Sequence, residues 1–366
     1  MRRALIFVGL LVAAGFVPGC VPGCGKSGKK REPVTAASSD AATTSDAGTK
    51  ADAPSGAGVV LPPAPPLPSV PRGLPEAPPL GPISPEAVAL GALLFDEPRL
   101  ATDGTTRCAG CHAPAAGYSG AREPTALGRP NLRRAQPLVN AAWQRELGWD
   151  GRFSSLEEHL AAHLHGQLGA AIETAIAPLA ADPIVRAHFE RSFGRAPTAP
   201  DAIAALAAFV RTRYSGNSRW DAEERKQNPG ETEPQDTQLR AGYQLFMGKA
   251  QCSVCHPPPL YTDLSYHRLG LIASADEGRG TTDVARRGAF KTPTLRDAAR
   301  RPRFFHDASA TSLADAVAWH LAGGVGQGAD RSIVDPALEP IALTAEEQAQ
   351  LLAFLQALTS RPADAP

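Results

Sequence analysis

The chain has 366 residues, and its 37 Lys plus Arg balance 37 Asp plus Glu, so formal charge is zero and no basic run stands outside the short "GKSGKKRE". That distribution excludes nucleic acid as an expected partner, while the length allows two globular domains.

The N-terminus, "MRRALIFVGLLVAAGFVPGC", combines two arginines, an apolar run and small residues, which is the layout of an export signal over residues 1–24. The run is too short for a spanning helix. Cys20 ends a "VPGC" that resembles a lipobox and Cys24 ends a second one, so the protein is expected in the periplasm or cell envelope, either lipid-anchored or released by simple cleavage. Residues 25–82 are rich in Ala, Ser and Thr and then in Pro, a composition that cannot bury a core and predicts a disordered tether.

From there on the pattern is helical. "SPEAVALGALLF", "SLEEHLAAHL", "AIETAIAPLAAD", "DAIAALAAFVRTRY", "TQLRAGYQLFMG", "SLADAVAWHL" and "TAEEQAQLLAFLQAL" carry apolar residues at helical spacing, several behind Ser, Asp or Thr caps. Strand-like alternation is nearly absent, so the expected class is mainly α. The charged, loop-like "SRWDAEERKQNPGETEPQD" is read as the boundary between domains at 83–232 and 233–362.

Of the six cysteines, Cys20 and Cys24 lie at the export end. The other four form "CAGCH" (Cys108, Cys111, His112) and "CSVCH" (Cys252, Cys255, His256). Cysteines one helical turn apart can form thioethers to two vinyl groups of a haem, and the adjacent His can reach the iron as proximal ligand. Two covalently bound c-type haems are therefore expected, with His112 and His256 on the irons. The halves also repeat. "GALLF" precedes the first motif and "GYQLF" the second, and "NAAWQRELGWDGRFSSLEEHLAAH" aligns without gaps onto "DAARRPRFFHDASATSLADAVAWH". The alignment pairs Asn140 with Asp297, Trp149 with His306, Asp150 with Asp307 and His163 with His320. The pattern is that of a duplicated cytochrome c domain.

These motifs, with "WDGRFSSLEEH", "FKTPTLRDAA" and "FHDASATSLADAV", resemble the bacterial di-haem cytochrome c peroxidases and the related di-haem enzymes of methylamine dehydrogenase maturation. The resemblance spans 83–358. It implies reduction of hydrogen peroxide at the N-terminal haem, with electrons from a small cytochrome c or cupredoxin relayed through the C-terminal haem, and a homodimer is among the assemblies to expect. Because peroxide takes two electrons, the second haem serves as a reservoir. Trp149 corresponds to the family tryptophan between the haems.

Several positions depart from the family pattern. Phe304, Phe305 and His306 stand where the peroxidases carry a distal Met loop, and Met247 lies on the proximal side, so the second haem is expected to be five-coordinate or to take His306 or His267. No His follows His112 before His159, which removes the family's gating loop His. His159 aligns with a distal-pocket Gln and is read as acid–base catalyst, axial ligand or structural residue, whereas His163 is read as structural. Gln167 or Glu173 stands nearest the family's distal Glu. An interdomain calcium (Ca2+) is implied by Thr292 and Pro293 but opposed by Arg134 at the position of a family Asn. Two other readings stay open: an oxidase of a protein or small substrate, and a di-haem electron carrier without peroxide chemistry.

Overall fold

The computed structural model describes residues 59–79, 81, 83–226, 234–271, 276–324 and 331–361. The export signal, Cys20 and Cys24 lie outside these residues. Among the described residues no helix is long and apolar enough to cross a membrane.

The first half opens with α1 (Pro85–Phe95), whose start is set by the Ser84 hydroxyl accepting from Ala87 N at 3.1 Å and by proline in the first turn. A short turn of helix, α2 (Cys108–Cys111), carries the first cysteine pair. It is followed by α3 (Leu156–His163), a π-helical turn at Leu164–Leu168, α4 (Ile172–Leu179), α5 (Pro183–Phe193), α6 (Ala199–Arg211) and α7 (Arg219–Arg225). The second half holds α8 (Thr237–Met247), α9 (Leu313–Leu321), α10 (Ala345–Ala357) and one two-stranded antiparallel ribbon, β1 (Tyr266–His267) with β2 (Phe290–Lys291).

Each half is built on one close helix pair, α1 on α6 and α8 on α10. The shared G-x-x-L-F explains the approach: a Cβ at Gly91 would collide with Ala205 O, and one at Gly242 with Gln350 O. Leu94, Phe95 and Phe246 fill the cores beside these contacts. Aligned residues also adopt matching backbone. Asn140 and Asp297 are left-handed at φ 60° and 56°, Gly148 and Phe305 at 85° and 60°, and Gly151 and Ala308 at 66° and 65°. Isolated bridges close Leu147 on Phe153 and Phe304 on Ala310. Helices α3 and α9 start behind the aligned caps Ser155 and Ser312.

The halves are joined by buried polar contacts. Arg134 donates through Nε to Phe305 O at 2.6 Å, and its backbone N donates to His306 O at 2.8 Å. Arg133 spans Asp150 and Asp276 at 2.7 and 2.5 Å. Residues 59–79, where composition predicts a free tether, carry no helix or strand, yet they are fastened to the body. Pro62 O accepts from Arg191 at 2.6 Å, Arg72 O from Asn217 N at 2.8 Å and Glu76 O from Trp143 Nε1 at 3.1 Å, so backbone carbonyls rather than apolar burial anchor this stretch.

Candidate active site

Both Cys–His motifs sit at the walls of cavities. In the first, Cys108 and Cys111 occupy the ends of α2, and His112 is its C-cap. His112 is 7% exposed, and its Nδ1 faces Tyr118 O at 3.2 Å, which leaves Nε2 for a metal. Burial pushes its pKa down to about 4, so the imidazole is neutral, as ligation requires. The cavity, about 670 Å³, lies within the size range of cofactor sites and is lined by both cysteines, His112, Trp149, His159, His163 and Gln167.

The second site repeats the arrangement. Cys252 and Cys255 flank a 3₁₀ turn, His256 Nδ1 faces Tyr261 O at 3.0 Å, and burial again lowers the imidazole to about 4. This cavity is smaller, about 180 Å³, with mostly apolar walls that include Phe305, His306 and His320. None of these four cysteines is paired in a disulfide, and burial pushes the Cys108 and Cys252 thiols up to about 12. Paired thiols beside a neutral imidazole with one free nitrogen, on an apolar wall, form the donor set that could hold a c-type haem in each half.

Trp149 and Arg134 line both cavities. The indole, 6% exposed, donates from Nε1 to Arg134 O at 3.0 Å, and the Arg134 guanidinium lies 5.2 Å from the ring centre. The next residue, Asp150, has no exposed side-chain surface. Burial opposes its ionisation, but hydrogen bonds from Arg152 and Arg133 outweigh that and hold its pKa below the ordinary range.

The three other candidates fall differently. His159 stacks on Phe153 at 4.6 Å, and burial lowers its pKa to about 4. His163, expected to be structural, lines the cavity with its ring centre 6.0 Å from that of His112. The i, i+4 spacing put both on one helix face, but the rotation of α3 about its axis decides which ring faces His112, and sequence does not encode that rotation directly. Gln167 is tied to Asn131 by a reciprocal amide pair at 2.8 and 3.1 Å, so its side chain braces the loop over the cavity.

Around the second cavity, His306 stacks on Phe290 with ring centres 3.5 Å apart. Its buried Nε2 has no hydrogen-bond partner, which leaves that atom open to a ligand role. His267, the other expected sixth ligand, is clamped at both nitrogens by Asp263 at 2.8 Å and Asp335 at 2.7 Å and has no lone pair free for iron. Met247 is 42% exposed and outside the cavity lining. Arg134, at the place of the expected calcium ligand, directs its guanidinium to Phe305 O, Ser119 Oγ and Ala135 O, and the Thr292 hydroxyl donates to Ser265 O. The sequence does not announce Arg134 as an organiser of the site, because its acceptors are two backbone carbonyls and one serine hydroxyl drawn from both halves.

Comparison with known proteins follows this geometry. The family described as di-haem cytochrome c peroxidase matches residues 85–228. Methylamine utilization protein MauG of Methylorubrum extorquens is 35% identical over 303 residues, covering 80% of this chain and 83% of that protein. Cytochrome-c peroxidase IdrP1 of Denitromonas iodatirespirans is 31% identical over 341 residues, covering 81% and 86%. The crystal structure of a MauG-like protein associated with microbial copper homeostasis superimposes with a TM-score of 0.71 at 26% identity, covering 81% of this chain and 94% of that one.

Proposed function

Because the chain belongs to the di-haem cytochrome c peroxidase family and is a cytochrome c peroxidase-like oxidoreductase, we propose that it reduces hydrogen peroxide to water with electrons from a small redox protein. One peroxide, two protons and two electrons give two waters, so each of two haems supplies one electron. The haems would be held by thioethers at Cys108 and Cys111 and at Cys252 and Cys255, with His112 and His256 as proximal ligands. Bound there, they supply peroxide activation in one half and electron storage in the other.

The observation that carries this reading is Trp149, whose ring lines both cavities and is fixed by its Nε1 bond to Arg134 O. A rigid indole between two redox centres is suited to passing an electron. His112 and His256 keep their ring orientation through the Tyr118 and Tyr261 carbonyls. His159, neutral because it is buried, can accept a proton from peroxide at an imidazole nitrogen and return it to the leaving oxygen. Gln167, engaged with Asn131, holds the cavity wall and takes no part in proton transfer. The reading includes export to the periplasm or cell envelope, where c-type haem is attached.

A second reading, oxidation of a protein substrate, is favoured by the walls of the C-terminal cavity, where Phe304, Phe305 and His306 replace thioether ligation. Peroxide-dependent oxidation of a reduced small cytochrome by the holoprotein, compared with His159→Ala, tests the first reading. Turnover that falls strongly in the variant supports it. No turnover in the wild type, with a haem spectrum that still responds to peroxide, favours the second.

A further inference from the structure

We propose that His163 is the sixth ligand of the N-terminal haem iron, standing opposite His112 and closing that iron to peroxide in the resting enzyme. The inference rests on the reading that His112 holds a haem. Its ground is a distance: the His112 and His163 ring centres are 6.0 Å apart, inclined at 58°. Two imidazoles that grip one metal ion from opposite sides, each nitrogen about 2 Å from the ion and each ring centre roughly 1.2 Å further back, have centres about 6.4 Å apart. A base acting across a bound peroxide oxygen would stand about 2–3 Å further away, one hydrogen bond beyond the ligand. The observed spacing matches direct ligation and leaves no room for an intervening molecule.

The nitrogen inventory agrees. His112 spends Nδ1 on Tyr118 O and presents Nε2. His163 makes no hydrogen bond through either ring nitrogen to any described residue, although it is half-buried against His112 and His159. Its ring nitrogens are therefore unclaimed by the protein, and the residue lines the cavity where a ligand could take one of them.

The backbone fixes this placement. His163 ends α3, and the chain continues through the π turn Leu164–Leu168, a geometry that recurs at functional sites because it re-aims a helix face. That turn is pinned by Leu168 O, which accepts from Thr102 N at 2.9 Å and Thr102 Oγ1 at 3.1 Å. His159, one turn earlier, makes ring contacts with Phe153 and His163 but none with His112. In the other half the aligned His320 spends Nδ1 on Ala316 O at 2.7 Å and makes no ring contact with His256, so the inference is confined to the N-terminal iron.

The test is the ferric holoprotein, read by paramagnetic resonance and near-infrared charge-transfer bands. The wild type should show the N-terminal haem low-spin with two imidazole ligands. His163→Gly should convert one haem per chain to high spin, added imidazole should restore low spin, and cyanide should bind at least about tenfold tighter because the open fraction multiplies apparent affinity. His163→Met, which keeps a ligand, should show a thioether-to-iron band, and His159→Gly should leave the spin state unchanged. A high-spin N-terminal haem in the wild type, or a low-spin signal indifferent to both His163 variants, overturns the proposal. Haem counted on the Cys108–Cys111 peptide separates the two levels: its absence overturns the haem reading beneath the proposal, whereas its presence with the wrong ligand set overturns only the proposal.

Discussion

Replacing Arg296 by Met should destabilise the fold more than almost any other single change and should loosen the second haem site first. Arg296 is 1% exposed, and its Nη1 and Nη2 each meet an Asp221 oxygen at 2.9 Å. Nε donates to Pro259 O at 2.8 Å, Nη2 also reaches Gly73 O, and the guanidinium lies 5.4 Å from the centre of the Tyr261 ring. Tyr261 O in turn orients His256. Removing one partner of a buried pair leaves the other charge uncompensated, which costs about 3–5 kcal/mol, and each of the two abandoned carbonyls adds about 1 kcal/mol. Guanidinium unfolding of the holoprotein, followed by tryptophan fluorescence, should therefore show a loss of about 5–7 kcal/mol. Asp221 also accepts from Ser218 N and Oγ, both at 2.8 Å, so Asp221→Leu removes a helix cap worth about 1 kcal/mol besides the charge. Even so, the double variant should be more stable than Arg296→Met alone, since no unpaired charge remains. A loss below about 1 kcal/mol for Arg296→Met, or strictly additive effects in the cycle, would refute the reasoning.

Three further outcomes follow from the same geometry. Trp149→Phe should retain both haems yet slow electron transfer between them about tenfold, equivalent to about 1.4 kcal/mol of barrier, when the half-reduced enzyme is followed by stopped flow; an unchanged rate removes the indole from the path. The Asp263 carboxylate first, and Asp335 with it, hold His267 as an imidazolium and raise its pKa well above 6.5. The stability this contributes is full below about pH 6.5 and is lost as pH rises through the raised pKa, so the deficit of His267→Gln should be largest at pH 6 and shrink steadily above it; a deficit that grows with pH contradicts the clamp. Gly91→Ala and Gly242→Ala should each cost about 1–3 kcal/mol by wedging apart α1 and α6 or α8 and α10, and a neutral result at either would mean that the helices do not need the close approach.

The haem motifs and the helices behind Ser84, Ser155 and Ser312 were legible because their signals are local: fixed spacing, a cap, an apolar stripe. The gapless alignment of the halves was legible too, and the paired left-handed residues Asn140 and Asp297 follow it. The illegible features depend on partners far apart in sequence or on helix rotation. Nothing near His267 announces Asp335, and nothing in "PRGLPEAPPL" announces that Gly73 O and Glu76 O will be claimed by Arg296 and Trp143. Which of His159 and His163 brings its ring against His112 is a matter of how α3 is turned, which packing against α6 sets and pattern alone does not.

The central claim is that two haems share one two-electron reduction, and a titration tests it directly. Holoprotein with both haems reduced, mixed anaerobically with substoichiometric hydrogen peroxide, should lose two haem equivalents of reduction for each peroxide added, one from each half. Oxidation of a single haem per peroxide, with the other left reduced, would contradict the account.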